Sequence, residues 1–179
     1  MTGDSLVVLD ACVLIPAPLR DTLLRLADPP RLYTPRWPEE ILAETVRNLE
    51  SRMGLSRTKT DYLVGQLRVH FADSWVIGYE PLVDRMANHP KDRHVLAAAV
   101  RCGARLIVTY NKRDFPTAAT EPWRIEVQGP SAFLRSLYER NPSVVLDKLH
   151  AGGPPSSSTV RRVSAGTAHL FRRNCTTES

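Results

Sequence analysis

Short apolar runs that alternate with helical patterns place the strongest constraint on the fold of this chain. Residues 5–9 (SLVVL) and 105–109 (RLIVT) are nearly continuous apolar runs, as in strands that are buried on both faces of a sheet. Weaker runs at residues 32–34, 75–77 and 124–127 predict three more strands. The alternation predicts an α/β fold with a parallel sheet of about five strands and helices on both faces.

The predicted helices fill the segments between these strands. Pro38 opens one of them, because proline is favoured in the first turn, and Gly103 ends another as a C-terminal cap. The predicted helical ranges are residues 19–27, 38–52, 56–71, 94–102, 131–139 and 142–150.

The charge of the chain is unevenly distributed. The net charge is +5, which suits a polyanionic partner such as nucleic acid. The segment 152–179 contributes +3 of it, so the rest of the chain is nearly neutral. That segment begins with GGPPSSSTV, a linker-like composition, and is predicted to be a flexible tail.

The cysteines and the first apolar stretch indicate a cytoplasmic protein. Three cysteines with wide spacing and no CxxC pair suggest reduced thiols rather than a disulfide framework or a zinc site. The stretch 6–19 is interrupted by Asp10 and two prolines and has no basic leader. We therefore expect neither a signal peptide nor a membrane span.

Two acidic residues follow the two strongest strands. Asp10 comes directly after the first run, and Asp114 lies in the loop after residues 105–109. If these strands are parallel, both acids lie at the carboxyl edge of the sheet, where open α/β sheets bind ligands. Taken alone, Asp10 also fits a helix N-cap and Asp114 a turn residue.

Two further acids lie on predicted helices that could reach the same edge. Asp92 begins the helix over 94–102, and Glu44 borders the apolar stripe of the helix over 38–52. Taken alone, Asp92 also fits an N-cap and Glu44 an exposed helical glutamate.

Considered together, these four acids predict a divalent-metal site. Carboxylates supply the oxygen atoms and the charge that Mg²⁺ prefers, and four clustered acids would repel one another without a cation. Such a site stabilises charge on a phosphate and lowers the pKa of bound water.

The residues around the acids also resemble a known family. VVLDACVL, ILAETVRNL, KDRHVLAAAV and IVTYNKRDFP, in this order, resemble the PIN domain of VapC-like toxins. The resemblance runs from about Leu6 to Leu149 and is closest to the branch with an extra C-terminal helical segment. It implies a PIN-like three-layer sandwich, with a nuclease domain over residues 1–128 and a helical extension over 129–151.

The resemblance also implies an activity. By motif position, Asp10, Glu44, Asp92 and Asp114 correspond to the acidic set of a Mg²⁺- or Mn²⁺-dependent endoribonuclease with one or two ions. The resemblance further implies that water attacks the RNA phosphodiester, which leaves a 5′-phosphate and a 3′-hydroxyl. In such toxins a cognate antitoxin commonly binds near the acidic cleft, and homodimers are common.

Other polar residues near the predicted edge are expected to position groups in the site or to bind RNA. The resemblance gives Thr109 and Asn111 a part in positioning water or the fourth acid, although Asn111 could equally satisfy its own turn. Basic residues must line an acidic cleft that binds RNA, and ordinary solvated charge is the alternative for each of them. The candidates are Arg20, Arg36, Lys112 and Arg113.

Two neighbouring residues are left out of the predicted site. His94 follows Asp92 closely, but activated water needs no protein base, and Cys12 has no evident histidine partner for nucleophilic catalysis.

Two other functions compete with the nuclease. One is a non-catalytic PIN-like RNA-binding module, which would gain nothing from four acids. The other is an aspartate-based phosphotransferase, but Ala11 and Cys12 follow Asp10 where a DxD pair would be expected. A GxxxxGK[ST] loop is absent from the sequence, which argues against a P-loop enzyme.

Overall fold

The computed structural model describes residues 5–150, and within this range the chain is an α/β fold built on a parallel sheet. The strands lie in the order β2-β1-β3-β4. Their bounds are β1 Leu6–Leu9, β2 Thr34–Arg36, β3 Leu106–Val108 and β4 Glu126–Gln128. This confirms the predicted fold class, while the predicted flexible tail over 152–179 lies outside the described residues.

The described sheet has four strands rather than about five. The prediction of a strand over residues 75–77 was wrong, because Trp75 forms only a single parallel bridge with Trp37. Pro38 follows Trp37 directly and leads into a helix, so the ladder cannot continue on that side. On the other side Gly78 takes a φ of +71°, which turns the chain away after residue 77.

Nine α-helices of the described chain surround the sheet. They are α1 Ala11–Leu14, α2 Ala17–Ala27, α3 Glu39–Ser51, α4 Arg57–His70, α5 Glu80–Val83, α6 Arg93–Cys102, α7 Thr117–Thr120, α8 Pro130–Arg140 and α9 Pro142–His150. The predicted helices correspond to α2, α3, α4, α6, α8 and α9, with ends displaced by a few residues. Among the residues described, no helix is long and apolar enough to cross a membrane.

Both faces of the central strand β1 are covered. Val7 and Val8 point to opposite faces, as successive strand residues do, and each is at most 1% exposed. Fully burying a side chain of this size contributes about 1.5–3 kcal/mol. This burial fixes the position of the residue that follows β1 at the carboxyl edge.

The strand order creates a switch point between β1 and β3. The chain leaves β1 for β2 on one side and later returns to β3 on the other side. Crossovers that diverge in this way leave a crevice at the carboxyl ends of the two strands, where open sheets bind ligands. Asp10 and Thr109 are the residues that directly follow β1 and β3.

Helix α6 returns the chain to the start of β3. It ends at Gly103, which has a φ of +71°, as the sequence predicted. Its residues 95–99 are all buried, three of them alanines that let the helix pack closely. The opposite end of α6, next to Asp92, is therefore held near the carboxyl edge.

Helices α8 and α9 pack on the same core as the sheet. The rings of Phe133 and Tyr33 meet edge to face with centroids 4.9 Å apart. Lys148 Nζ donates hydrogen bonds to the carbonyls of Arg25 at 3.3 Å and Asp28 at 2.6 Å, at the end of α2. Both helices thus form where the sequence predicted them, and the domain boundary at residue 128 stays a prediction.

Candidate metal centre

Asp10 is buried at the carboxyl end of β1 and is only 3% exposed. Its Oδ2 accepts a hydrogen bond of 2.6 Å from Thr109 Oγ1 and one of 3.2 Å from Cys12 Sγ. Asp10 precedes α1, but its side chain makes no capping bond to that helix. The structure therefore excludes capping as the reason for an aspartate at this position.

Thr109 and Asn111 shape the loop that carries Asp114. Thr109 Oγ1 accepts a 2.9 Å hydrogen bond from the Asn111 N–H, while the Asn111 carbonyl accepts one of 2.9 Å from the Asp114 N–H. A short 3-10 turn, Lys112–Asp114, completes the loop. The hydroxyl of Thr109 thus joins Asp10 to the backbone that holds Asp114.

Asp92 lies at the end of the 3-10 turn Pro90–Asp92 and makes no side-chain cap for α6. Burial raises the pKa of Asp92 to about 8, with further contributions from the charges of Asp10, Asp114 and Glu44 and from a hydrogen bond with Asp114. At a pKa of about 8 the Asp92 carboxyl is largely protonated near neutral pH when no cation is bound.

Glu44 reaches the cluster from the middle of α3. Burial raises the pKa of Glu44, and the charge of Asp10 raises it further against the opposing charges of nearby basic residues. The buried face of α3 is formed by Ile41, Leu42, Thr45 and Leu49. Because Glu44 borders that face, it is half-buried beside the sheet edge rather than fully exposed.

The structure therefore brings the four predicted acids close enough for their charges to interact, although Asp10 and Glu44 are not among the described residues whose ligand atoms have the closest spacing. The charges of Asp10, Asp114 and Glu44 all act on Asp92, and that of Asp10 acts on Glu44. The acids come from four separate segments of the chain. The predicted metal site requires these four acids to lie near one another. Their roles in the chemistry stay predictions.

His89 is a member of the cluster that the sequence analysis missed. One ligand atom each from His89, Asp92 and Asp114 lie within 4.8 Å of one another, a spacing that could hold a metal ion. Ligands on opposite sides of a Mg²⁺ ion lie about 4.2 Å apart, since each is about 2.1 Å from it. The three residues thus fit one divalent cation. The HPKD sequence at residues 89–92 was the signal that could have revealed His89.

The backbone holds His89 beside both acids. The His89 N–H donates to the Asp114 carbonyl at 2.9 Å, and the Asp92 N–H donates to the His89 carbonyl at 2.9 Å. These two bonds connect the loop after β3 with the segment before α6. The main-chain positions of His89, Asp92 and Asp114 are therefore fixed relative to one another.

Comparison with known proteins gives one informative relative. The chain is 45% identical over 76 residues to a protein of Mycobacterium tuberculosis (strain ATCC 25618 / H37Rv) described as "Putative ribonuclease VapC50". The match covers 41% of this chain and 45% of the relative, so the chain spans less than half the length of the curated relative that it matches. No family model and no solved structure matches the chain.

The matched part of the chain is therefore similar to a VapC protein. The parallel α/β sheet agrees with the predicted PIN-like fold. Both findings support the VapC-like resemblance that the sequence motifs indicated.

A second histidine lies close to the acids of the candidate site. Burial lowers the pKa of His94, against the charges of Asp10 and Glu40 and a hydrogen bond to the backbone of Lys91. Its Nε2 is buried and has no hydrogen-bond partner in the part of the chain that the structure describes. His94 is not among the three residues whose ligand atoms lie closest together.

The four basic residues predicted to bind RNA occupy different environments in the structure. Arg20 donates hydrogen bonds to the carbonyls of Leu14 at 2.7 Å and Ile15 at 3.2 Å, and burial lowers its pKa. Its guanidinium therefore supports the end of α1, so a structural role accounts for this residue.

The side chains of the other three basic candidates differ in their exposure to solvent. Arg36 is half-buried at the end of β2, and its charge acts on Asp73 and Cys102. Lys112 and Arg113 are exposed in the turn that ends at Asp114. These two are the predicted RNA contacts that lie at the rim of the acidic cluster.

Proposed function

We propose that this chain is a divalent-metal-dependent endoribonuclease and the toxin of a type II toxin–antitoxin pair. The convergence of Asp10, Glu44, Asp92 and Asp114 carries the proposal, because four acids at one sheet edge are costly without a cation. The relative whose name describes a ribonuclease supports the same activity. A module that only bound RNA would gain nothing from this negative charge.

The residues of the cluster suit Mg²⁺ or Mn²⁺, as one ion or two. The pKa of Asp92, raised to about 8, means that the metal-free centre retains a proton near neutral pH, which a cation would replace. A cation held there would polarise an RNA phosphodiester and make water acidic enough to act as a nucleophile near neutral pH. The chain itself supplies the ligands and their orientation.

Thr109 and Cys12 orient Asp10 for this role. In the described part of the chain, both side-chain hydrogen bonds to Asp10 end on Oδ2. Oδ1 therefore remains available to a ligand at the sheet edge. Because the donors come from both sides of the switch point, they hold the carboxylate in one orientation.

Lys112 and Arg113 would receive the RNA backbone. Both are exposed and flank the segment that carries Asp114, so they can contact phosphates while the acids act on the scissile bond. The substrate is accordingly RNA, the partner is a cognate antitoxin, and homodimers are expected as in the family. The place of action is the cytoplasm.

The test is cleavage of defined RNA by the purified full-length chain. Single-stranded and structured RNAs are incubated with Mn²⁺, Mg²⁺ or a chelator. Asp10→Asn should reduce cleavage by about a hundredfold or more, since it removes a charge from the centre. Asp61→Asn is the matched control, because Asp61 is exposed in an ion pair with Arg57 on α4.

The outcomes separate the proposal from its alternatives. Metal-dependent cleavage that is lost in Asp10→Asn and kept in Asp61→Asn supports the nuclease. Equal cleavage by all three proteins indicates a contaminating enzyme and contradicts the proposal. A wild-type chain that binds metal and RNA but never cleaves is the RNA-binding module.

A further inference from the structure

We propose that His89 supplies a nitrogen ligand to the metal centre and thereby makes it favour Mn²⁺ over Mg²⁺. The inference rests on the proposed function, because it assigns a residue to the same centre. It goes beyond the four acids, since the predicted ligand set contains only oxygen. Its basis is the position of the His89 ring beside two of those acids.

The first observation is the spacing of the ligand atoms. Atoms of His89, Asp92 and Asp114 lie within 4.8 Å of one another. Neighbouring ligands around an ion of this size lie about 3 Å apart and opposite ligands about 4.2 Å apart. Small side-chain rotations would therefore bring all three groups into one coordination sphere.

The second observation is the backbone connection between these residues. The His89 N–H donates to the Asp114 carbonyl, and the His89 carbonyl accepts from the Asp92 N–H, both at 2.9 Å. His89 is thus held by its main chain to both neighbouring acids. These main-chain contacts do not depend on the side chain, and they keep the His89 ring beside both acids.

The present hydrogen bond of the ring is weak enough to be replaced. His89 Nδ1 accepts from the Lys91 N–H at 3.4 Å, near the limit for such a bond. Ligation through Nδ1 would take the lone pair that this bond uses. Ligation through Nε2 would place the proton on Nδ1, which could then no longer accept. Either geometry ends the bond to Lys91.

The chemistry of the ligand sets the metal preference. Imidazole nitrogen binds transition metals well, whereas Mg²⁺ prefers oxygen ligands and keeps several waters. Replacing one oxygen position by His89 therefore strengthens Mn²⁺ binding more than Mg²⁺ binding. The centre would therefore bind Mn²⁺ more tightly than Mg²⁺, whereas a site of carboxylates alone would show a smaller difference in affinity.

A simpler role for His89 is to cap the turn Pro90–Asp92, because its Nδ1 accepts from Lys91 at the second position of that turn. Asparagine is a favoured N-cap and can accept the same bond. His89→Asn therefore keeps the cap and removes the imidazole. His94 is the rival source of nitrogen, because its Nε2 is buried without a partner in the described chain and lies near the charge of Asp10.

The experiment uses electron spin-echo envelope modulation of Mn²⁺ bound to the full-length chain, together with calorimetric titration with Mn²⁺ and Mg²⁺. Directly coordinated nitrogen gives a characteristic modulation that oxygen ligands do not give. We expect this modulation in the wild type and in His94→Asn, and its loss in His89→Asn. Mn²⁺ affinity should fall on the order of tenfold in His89→Asn, with less than about a threefold change for Mg²⁺.

Each outcome is decisive. Nitrogen modulation that persists in His89→Asn, or that disappears in His94→Asn alone, overturns the assignment of His89. Bound Mn²⁺ with no nitrogen modulation in the wild type also overturns it, yet leaves the carboxylate centre and the proposed function intact. Failure of the wild type to bind either ion contradicts the proposed function itself.

Discussion

The hydroxyl of Thr109 donates a 2.6 Å hydrogen bond to Asp10 Oδ2 across 99 positions of sequence. It connects the residue after β3 with the residue after β1, at the switch point of the sheet. Because Thr109 is fully buried, water cannot replace this bond if it is lost. The orientation of Asp10 therefore depends on a residue that carries no charge.

Thr109→Val tests this dependence. Valine keeps the shape of threonine, but leaves the Asn111 N–H without its acceptor and Asp10 without its shortest bond. We expect a loss of about 1–3 kcal/mol in the free energy of unfolding and at least a tenfold fall in kcat. Chemical denaturation and RNA cleavage kinetics measure the two effects. Thr109→Ser should restore most of kcat, and an inactive Thr109→Ser protein would contradict the hydrogen-bond explanation.

The stability of the metal-free chain should depend on Asp92. Burial and the neighbouring acids raise the pKa of Asp92 from 3.8 to about 8 in the folded state. The folded state thus binds the proton more tightly than the unfolded chain does. The contribution of Asp92 to stability is therefore most favourable below about pH 4 and falls as the pH rises towards about 8.

Asp92→Asn isolates this contribution, because the amide cannot ionise. In a chelator, the melting temperature of the variant should exceed that of the wild type by a few degrees near pH 8 and match it near pH 4. Adding Mn²⁺ should stabilise the wild type near pH 8 far more than the variant. A wild-type advantage near pH 8 in the chelator would show that the folded state does not raise the pKa of Asp92.

Arg20 should matter for stability rather than for RNA binding. Its two hydrogen bonds to the carbonyls of Leu14 and Ile15 satisfy the end of α1. Arg20→Met keeps the aliphatic part and removes both donors, so we expect a loss of about 1–3 kcal/mol in unfolding free energy. Dissociation constants for RNA should change less than about twofold. A large loss of RNA affinity in a stable variant would instead indicate that Arg20 contacts RNA.

Lys112 and Arg113 should behave in the opposite way. Both are exposed, so the double variant Lys112→Ala, Arg113→Ala should unfold within about 0.5 kcal/mol of the wild type. If both contact phosphates, the slope of log K against log salt should become shallower by about 1.4 for single-stranded RNA. Fluorescence anisotropy at several salt concentrations measures the slope. An unchanged slope would indicate that neither residue contacts an RNA phosphate.

The elements that position the acids were predictable from local patterns. The runs that became β1 and β3 are apolar without interruption, and Gly103 marked the end of α6. The edge position of Asp10 and Asp114 followed from these strands because parallel neighbours end at the same edge.

The incorrect and missing predictions concern features that local sequence patterns do not contain. The run WVI at residues 75–77 has strong strand propensity, but Pro38 and Gly78 leave it a single bridge. Arg124 takes a left-handed φ of 54°, which moves β4 two residues beyond the predicted start. The hydrogen bond between Asp92 and Asp114, and the place of His89 beside them, depend on tertiary contacts that no spacing rule encodes.

The order of strands in the sheet has a consequence for synthesis of the protein. Asp10, Glu44 and Asp92 are all translated before Asp114, which follows β3. An unfinished polypeptide therefore holds only part of the cluster, and premature termination before β3 yields a product without a complete centre. The four acids can therefore assemble only after translation has passed the loop that follows β3.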